Sequence, residues 1–346
     1  MTTVQDRGAT TDNGFEDVPR YLSSYRARRK YKEAVQEPPA VKGIEDTVDI
    51  HCHAHEGQQH PLAIAKLASQ AGMKGLLYKS ITGGNRGPAA SVRKLLEELQ
   101  PWCEQNGVKP IEAWAGFGIA RGAGIAPPKD VAKEIADGVR CVWMPIANSV
   151  TTLYKIGGWT TMWDKESPRK HSDPLPWDFA MKVGMYTLGE DGKLKPEVRE
   201  IFKIVADTGV AVSFAHASHP EIYAMADEVT RLGIKRAFVD HPFSPFVDLS
   251  IEMMKELTSA GIYMNFTYDE LSPLLGIDPA RMYHAIRAIG TSKVTLSTDA
   301  GEPLFPNSIE CMRLIRGHMR AFGLTEDEIY EVSVTNPSKI VGLLEA

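Results

Sequence analysis

The sequence contains little cysteine, no excess of basic residues and no long apolar run. Its cysteines are far apart and form no CxxC pair, which argues against a zinc ribbon or a disulfide framework and fits a reducing compartment. They are Cys52, Cys103, Cys141 and Cys311. A formal net charge of −5 gives nucleic-acid binding no global electrostatic support. Without a signal-peptide pattern or an apolar stretch of about 20 residues, we expect a cytoplasmic protein that acts on a small molecule and has no nucleic-acid or membrane partner.

Length and composition allow one large α/β domain with extensions, or two smaller domains. The chain has 346 residues, of which 43% are hydrophobic, so we expect a substantial core. Residues 1–42 differ: they begin with a polar stretch, continue in a basic, tyrosine-containing segment compatible with a helix, and end near Pro38 and Pro39. Proline removes a backbone donor and breaks helices. We therefore predict a partly helical N-terminal extension over residues 1–42 and a folded domain over residues 43–346.

Within this domain, segments with helical periodicity alternate with eight short apolar strands. The first strand runs from Thr47 into His51, and the others are predicted over residues 74–80, 111–119, 141–146, 211–217, 236–241, 262–268 and 293–299. The alternation pauses over residues 148–193, where no clear periodicity is visible. We interpret this segment as a long insertion rather than a helix, and as a candidate lid over the substrate. It contains Trp159, Trp163 and Trp177.

Eight strand–helix units favour an α/β fold of the (β/α)8 TIM-barrel type. An open doubly wound sheet is the alternative, but such a sheet usually has a glycine-rich phosphate turn after its first strand. In this chain that position holds a His-x-His pair. The polar residues also favour the barrel, because they lie at the predicted carboxyl ends of strands, where barrel active sites form. These residues are His51, His53, Lys79, His216, His241, Asn265 and Asp299.

Several of these residues are of the types that bind a metal. Alternate residues of a strand face the same way, so His51 and His53 project together. Later strands end in His216, His241 and Asp299. Neutral imidazoles and a carboxylate are ligands for Zn²⁺, Mn²⁺, Ni²⁺ or Fe²⁺. The pattern therefore predicts a divalent metal site, with Zn²⁺ as the first choice.

At these positions the chain resembles the amidohydrolase superfamily of metal-dependent hydrolases. The superfamily's His-x-His after the first strand matches His51 and His53, and its later histidines and aspartate match His216, His241 and Asp299. The resemblance implies a metal held by His51, His53, His216 and Asp299 that activates water to hydrolyse a C–N or C–O bond in a small amide, lactam, lactone or similar substrate. Asp299 is then the catalytic base. His241 is expected to bind a second metal or to position the water.

One departure from the superfamily concerns a second metal. Two-metal members usually place a carboxylated lysine after the fourth strand or a glutamate after the third, whereas those places here hold Trp143 and Gly116-Phe117-Gly118. Lys79, after the second strand, is interpreted as a cation that binds a substrate carboxylate or stabilises developing negative charge. A carbamate ligand and a structural ion pair are its alternative roles. Further candidates for substrate contact are His55, His219 and Asn265.

The resemblance leaves two alternatives to hydrolysis. Some branches of the superfamily use the same metal for decarboxylation or hydration. A barrel that binds a metal or ligand without turnover is the other alternative, and a complete ligand set with an acid–base residue argues against it. We also expect a homo-oligomer.

Overall fold

The fold is described from a computed structural model that covers residues 43–54, 59–81, 87–121, 124–157, 174–301 and 305–346. The predicted N-terminal extension over residues 1–42 lies outside the described residues. So do His55 and two tryptophans of the insertion, Trp159 and Trp163. No helix in the described ranges combines the length and the apolar character needed to cross a membrane.

Eight parallel strands form one sheet, in which each strand pairs with the next along the chain. They are β1 Val48–Ala54, β2 Gly75–Ile81, β3 Glu112–Gly118, β4 Val139–Trp143, β5 Ala211–Ser213, β6 Ala237–Asp240, β7 Tyr263–Thr267 and β8 Val294–Ser297. The sheet closes on itself because the segment after β8 bonds to β1. The amide of His53 donates to Ala300 O at 2.9 Å, and the amide of Asp299 donates to His51 O at 2.8 Å. The predicted TIM barrel is thus confirmed.

Helices cover the outside of the barrel and follow the predicted alternation. They are α1 Pro61–Gln70, α2 Pro88–Asn106, α3 Pro128–Ala136, α4 Val150–Ile156, α5 Trp177–Val183, α6 Pro196–Thr208, α7 His219–Leu232, α8 Ile251–Ser259, α9 Tyr268–Leu271, α10 Pro279–Ile289, α11 Ser308–Phe322, α12 Glu326–Tyr330 and α13 Asn336–Ile340. Five of them have a proline as their first residue, where the missing N–H has no helical partner anyway. A π-helical turn, Glu331–Thr335, joins α12 to α13. A short antiparallel hairpin pairs Ala120–Arg121 with Gly124–Ile125.

The insertion after β4 differs from its prediction, because it contains two short helices, α4 and α5. Ser149 caps α4 by accepting a hydrogen bond from the Thr152 amide at 3.0 Å. Trp177, at the start of α5, packs edge-to-face against Tyr154 and Tyr186, with ring centroids 5.3 and 6.3 Å apart. These contacts anchor Trp177 within the insertion. A lid function for residues 148–193 stays a prediction.

The carboxyl half of the barrel interior is filled by a large side chain that requires a glycine beside it. The Trp143 indole, on β4, is fully buried. A Cβ atom built on Gly116, in the neighbouring strand β3, would overlap the six-membered ring of Trp143. The two residues are therefore complementary in size, and this pair fills the barrel where a two-metal member would place a lysine after its fourth strand.

Replacing Gly116 with alanine is expected to lower the free energy of unfolding by about 3 kcal/mol, because the Trp143 ring is enclosed and has little room to move. Urea unfolding followed by tryptophan fluorescence and circular dichroism measures the effect. Gly124→Ala is the matched control: no heavy atom lies within 4 Å of its added Cβ, so it should change stability by no more than about 0.5 kcal/mol. Equal effects of the two changes would contradict this packing.

Candidate metal centre

Four histidines and one aspartate meet at the carboxyl edge of the barrel. His51 and His53 lie on β1, while His216, His241 and Asp299 lie just beyond β5, β6 and β8. His51 Nε2 and His53 Nε2 are each 3.0 Å from Asp299 Oδ1. His241 Nε2 is 3.9 Å from Asp299 Oδ2. Five residues that are distant in sequence are thus brought to one place.

The tightest group of ligand atoms comes from His51, His241 and Asp299. In the part of the chain that the structure describes, their ligand atoms all lie within 4.8 Å of one another. Two nitrogen ligands of a tetrahedral Zn²⁺ lie roughly 3.4 Å apart when each bond is about 2.1 Å long. The distances of 3.0 to 3.9 Å between these residues therefore suit one shared ion.

Two of these residues have an unusual backbone that aims them at the site. His241 and Asp299 have positive φ angles of 33° and 50°, a left-handed conformation that costs a non-glycine residue about 1–2 kcal/mol. Neighbouring strands hold it in place: the His241 amide donates to Asn265 O at 2.8 Å, and the Asp299 amide donates to His51 O at 2.8 Å. The chain turns sharply at these points, and the two side chains remain over the barrel mouth.

All four histidines are oriented in the same way, because each uses Nδ1 for a hydrogen bond to the protein. The pairs are His51 with Asp240 at 2.9 Å, His53 with Ser80 at 2.6 Å, His216 with Thr152 at 2.9 Å and His241 with Ser244 at 2.9 Å. Protein metal sites commonly fix their histidines through the nitrogen that does not bind the metal. In each ring Nε2 is then the nitrogen that can bind a metal.

The hydrogen bonds of Thr152, on α4 of the insertion, determine the tautomer of His216. The Thr152 hydroxyl donates to Ile146 O at 3.0 Å, so its proton is already used. Its oxygen must therefore accept from His216 Nδ1–H. His216 Nε2 then carries the lone pair that a metal requires. Stacking on Phe246, with ring centroids 4.0 Å apart, holds the imidazole plane.

The burial of the histidine rings supports a divalent ion as their common ligand. His241 Nε2 is enclosed by protein and makes no hydrogen bond to the described residues, while the equally enclosed His51 Nε2 faces Asp299 Oδ1 at 3.0 Å. Burial lowers the pKa of His53 and of His241 to about 4, and it lowers the pKa of His216 well below its ordinary value. These imidazoles are neutral at pH 7, as metal ligands must be. The residues fit a divalent ion.

His51 behaves differently because it lies between two carboxylates. Burial lowers its pKa, but the charges of Asp299 and Asp240 outweigh that effect and raise the pKa to about 9. Without a metal, His51 is therefore protonated at neutral pH. A divalent cation at Nε2 would take the place of that proton, as in other metal sites that release protons on binding.

Asp240 is a functional residue that the sequence analysis missed. This fully buried carboxylate accepts hydrogen bonds from His51 Nδ1, Trp143 Nε1, Ser213 Oγ and Asn265 Nδ2. Burial raises its pKa, but the charge of His51 outweighs this and holds the pKa well below its usual range. Asp240 therefore stays ionised and fixes the tautomer and ring orientation of His51. Its position directly before His241 in an apolar strand was the only available signal.

Asp240→Asn is expected to weaken Zn²⁺ binding about 10- to 100-fold. The amide keeps the shape of the carboxylate, but its NH₂ group would face donors where an acceptor is required. Competition with a chromophoric chelator measures the affinity. Asp207→Asn, an exposed aspartate on α6, is the matched control and should bind as the wild type does. An unchanged affinity in Asp240→Asn would show that this carboxylate does not hold His51 for the metal.

The residues predicted to contact substrate occupy different surroundings. Asn265 is fully buried: its Nδ2 donates to Asp240, and its Oδ1 accepts from Thr295 and Ser297 at 2.8 Å each. Its amide thus supports Asp240, and a substrate contact of Asn265 stays a prediction. His219 begins α7, is exposed, and bonds through Nε2 to Val247 O at 2.8 Å. Lys79 is buried at the carboxyl end of β2. His55 is not among the described residues.

Comparison with known proteins identifies a family and a fold. The sequence profile of a family of unknown function, DUF6282, matches residues 46–265. No curated protein sequence matches the chain. Among solved structures, an amidohydrolase from Pseudomonas aeruginosa is similar with a TM-score of 0.55 and 11% identity, over 86% of this chain and 95% of that one.

Two further solved structures have a similar barrel. A β-aspartyl dipeptidase from Fervidobacterium islandicum has a TM-score of 0.53 and 14% identity, over 86% of this chain and 75% of the other. A probable dipeptidase from Pseudomonas aeruginosa has a TM-score of 0.53 and 12% identity, over 93% and 98%. At such low identity the likeness concerns the fold. It agrees with the TIM barrel predicted from the alternation of strands and helices.

Proposed function

The chain belongs to the DUF6282 family, whose function is unknown, and from its site we propose that it is a metal-dependent hydrolase that cleaves a C–N or C–O bond in a small substrate. One observation carries the proposal. The imidazole nitrogens of His51, His53 and His241 converge on the Asp299 carboxylate at the carboxyl edge of a closed barrel. Amide, lactam and lactone bonds are the substrates that such a site suits best.

The proposed ligands are His51, His53, His216 and Asp299, with His241 as a further ligand or as the residue that orients water. A divalent ion held there would supply Lewis acidity, acidifying water and polarising the bond to be cleaved. Three or four imidazoles with one carboxylate suit Zn²⁺ first, and Mn²⁺, Ni²⁺ or Fe²⁺ as alternatives.

Asp299 is the residue proposed to move the proton. Burial raises its pKa, but the charges of His51 and Lys79 outweigh this and hold the pKa well below its usual range. The carboxylate is therefore ionised at neutral pH and can accept a proton from water. Its Oδ1 faces two histidines while Oδ2 lies farther from His241 Nε2, at 3.9 Å. Oδ2 is the atom best placed to receive the proton and to pass it to the leaving nitrogen or oxygen.

Turnover in isotopically labelled water tests the proposed reaction. Protein reconstituted with Zn²⁺ or Mn²⁺ would be offered a panel of cyclic amides, lactones, β-aspartyl dipeptides and aromatic carboxylates in H₂¹⁸O. Hydrolysis predicts one ¹⁸O atom in the carboxyl product, read by mass spectrometry. Release of CO₂ with no ¹⁸O in the remaining product would indicate a decarboxylase, and addition of water without bond cleavage would indicate a hydratase. Metal-loaded protein that turns over no compound in a broad panel would favour the binding-only alternative.

Two expectations from the sequence belong to the same proposal. We propose a homo-oligomeric state and a cytoplasmic location. Light scattering coupled to size-exclusion chromatography measures the first, and cell fractionation the second.

A further inference from the structure

We propose that Lys79 forms a subsite for a carboxylate group of the substrate, beside the metal centre. This inference rests on the proposed function and narrows its substrate class to small compounds that carry a free carboxylate near the scissile bond. Lys79 lies at the carboxyl end of β2 and precedes Ser80, whose hydroxyl is 2.6 Å from His53 Nδ1. Lys79 therefore lies at the same edge of the barrel as the ligands.

Among the described residues, no carboxylate forms an ion pair with the buried Lys79. Only 6% of the residue is exposed, and none of the described carboxylates forms an ion pair with its ammonium group. A buried charge is costly unless it is paired. A ligand that carries a negative charge would supply the missing partner.

The two nearest carboxylates of the site are engaged elsewhere. Asp240 accepts four hydrogen bonds from His51, Trp143, Ser213 and Asn265. Asp299 faces the imidazole nitrogens of three histidines. Neither carboxylate can turn toward Lys79 without leaving buried donors or ligand atoms unpaired.

The charge of Lys79 nevertheless acts on the whole centre. It lowers the pKa of all four histidines and helps to lower the pKa of Asp299 and Asp240. Since Lys79 and the ligands lie at the same edge of the barrel, one small molecule can span from Lys79 to the reacting bond. Lysine acts as a compact point charge with three donors, which suits a carboxylate that approaches from the open end of the barrel.

Binding of probes that do not react tests the subsite independently of turnover. The probes are the monohydroxamates of malonate, succinate and glutarate, each compared with its methyl ester. The hydroxamate end binds Zn²⁺, and only the free acid offers a carboxylate to Lys79. Isothermal titration of Zn²⁺-loaded wild-type protein is expected to show that at least one acid binds roughly 10- to 100-fold more tightly than its ester.

Lys79→Met should abolish this preference while metal content and circular dichroism stay as in the wild type, and Lys79→Arg should retain part of it. Lys94→Met, which removes an exposed lysine on α2, should leave the preference unchanged. A preference that persists in Lys79→Met, or its absence from the wild type for all three acids, would overturn the proposal. A gain of the mass of one CO₂ on Lys79 in native mass spectrometry would also overturn it, because Lys79 would then be a carbamate.

Failure of this proposal can be told apart from failure of the proposed function. If hydrolysis is observed and the free acid is not preferred over the ester, only the carboxylate subsite is wrong. If the acid is preferred through Lys79 and no substrate in the panel is turned over, the subsite stands and the hydrolase proposal is wrong.

Discussion

Treatment with a strong chelator is expected to abolish turnover, and addition of Zn²⁺ or Mn²⁺ is expected to restore it. His51→Ala should have the same effect without a chelator, lowering metal content to less than about a tenth of the wild-type value. The reason is that the buried Nε2 of His51 lies beside the Asp299 carboxylate at the centre of the site, and that Asp240 fixes the ring. Metal content is measured by inductively coupled plasma mass spectrometry, alongside activity.

The matched control is His284→Ala, which removes an exposed histidine of α10 and should retain full metal content. The metal-free protein should keep its circular dichroism spectrum, because the barrel has a large apolar core and does not depend on the ion as a zinc finger does. Full turnover by a verified metal-free sample would refute metal dependence.

Asp299→Asn is expected to lower kcat by about three orders of magnitude while a measurable part of the metal stays bound. The amide keeps the shape of the side chain and one oxygen, but it cannot accept the proton from water. Asp299 also lies in a left-handed conformation that asparagine tolerates, so the backbone at this position should be preserved. The measurements are kcat for the best substrate of the panel, and metal content on the same samples.

His51→Ala and Asp299→Asn should therefore differ in kind: the first loses metal, and the second loses turnover at a given metal content. Asp207→Asn serves again as the exposed control and should have wild-type values of both. Equal and mild effects of His51→Ala and Asp299→Asn on turnover and metal content would contradict the assigned roles.

The sequence by itself determined the barrel and the set of candidate ligands. Short apolar segments alternate with helical ones, and strands in such an alternation are parallel, so that their carboxyl ends meet at one edge. For that reason His51, His216, His241 and Asp299 could be assigned to one site although up to 248 positions separate them. A helix cap with a local sequence pattern can be read in the same way: Thr325 and Glu328 form a capping box, in which the Thr325 amide donates to Glu328 Oε2 at 2.7 Å.

Only the tertiary structure decided how these residues are held. His51 is fixed by the hydrogen bond that it donates to Asp240, 189 positions away. His216 is fixed by the hydrogen bond that it donates to Thr152 in the insertion. Side-chain contacts between separate strands leave no periodic trace in a sequence, because each depends on register and rotamer. The two short insertion helices were missed for a related reason: seven residues give fewer than two turns, too few for a recognisable apolar stripe. The lack of an ion pair between Lys79 and any described carboxylate, on which the proposed substrate class depends, likewise follows from the three-dimensional arrangement alone.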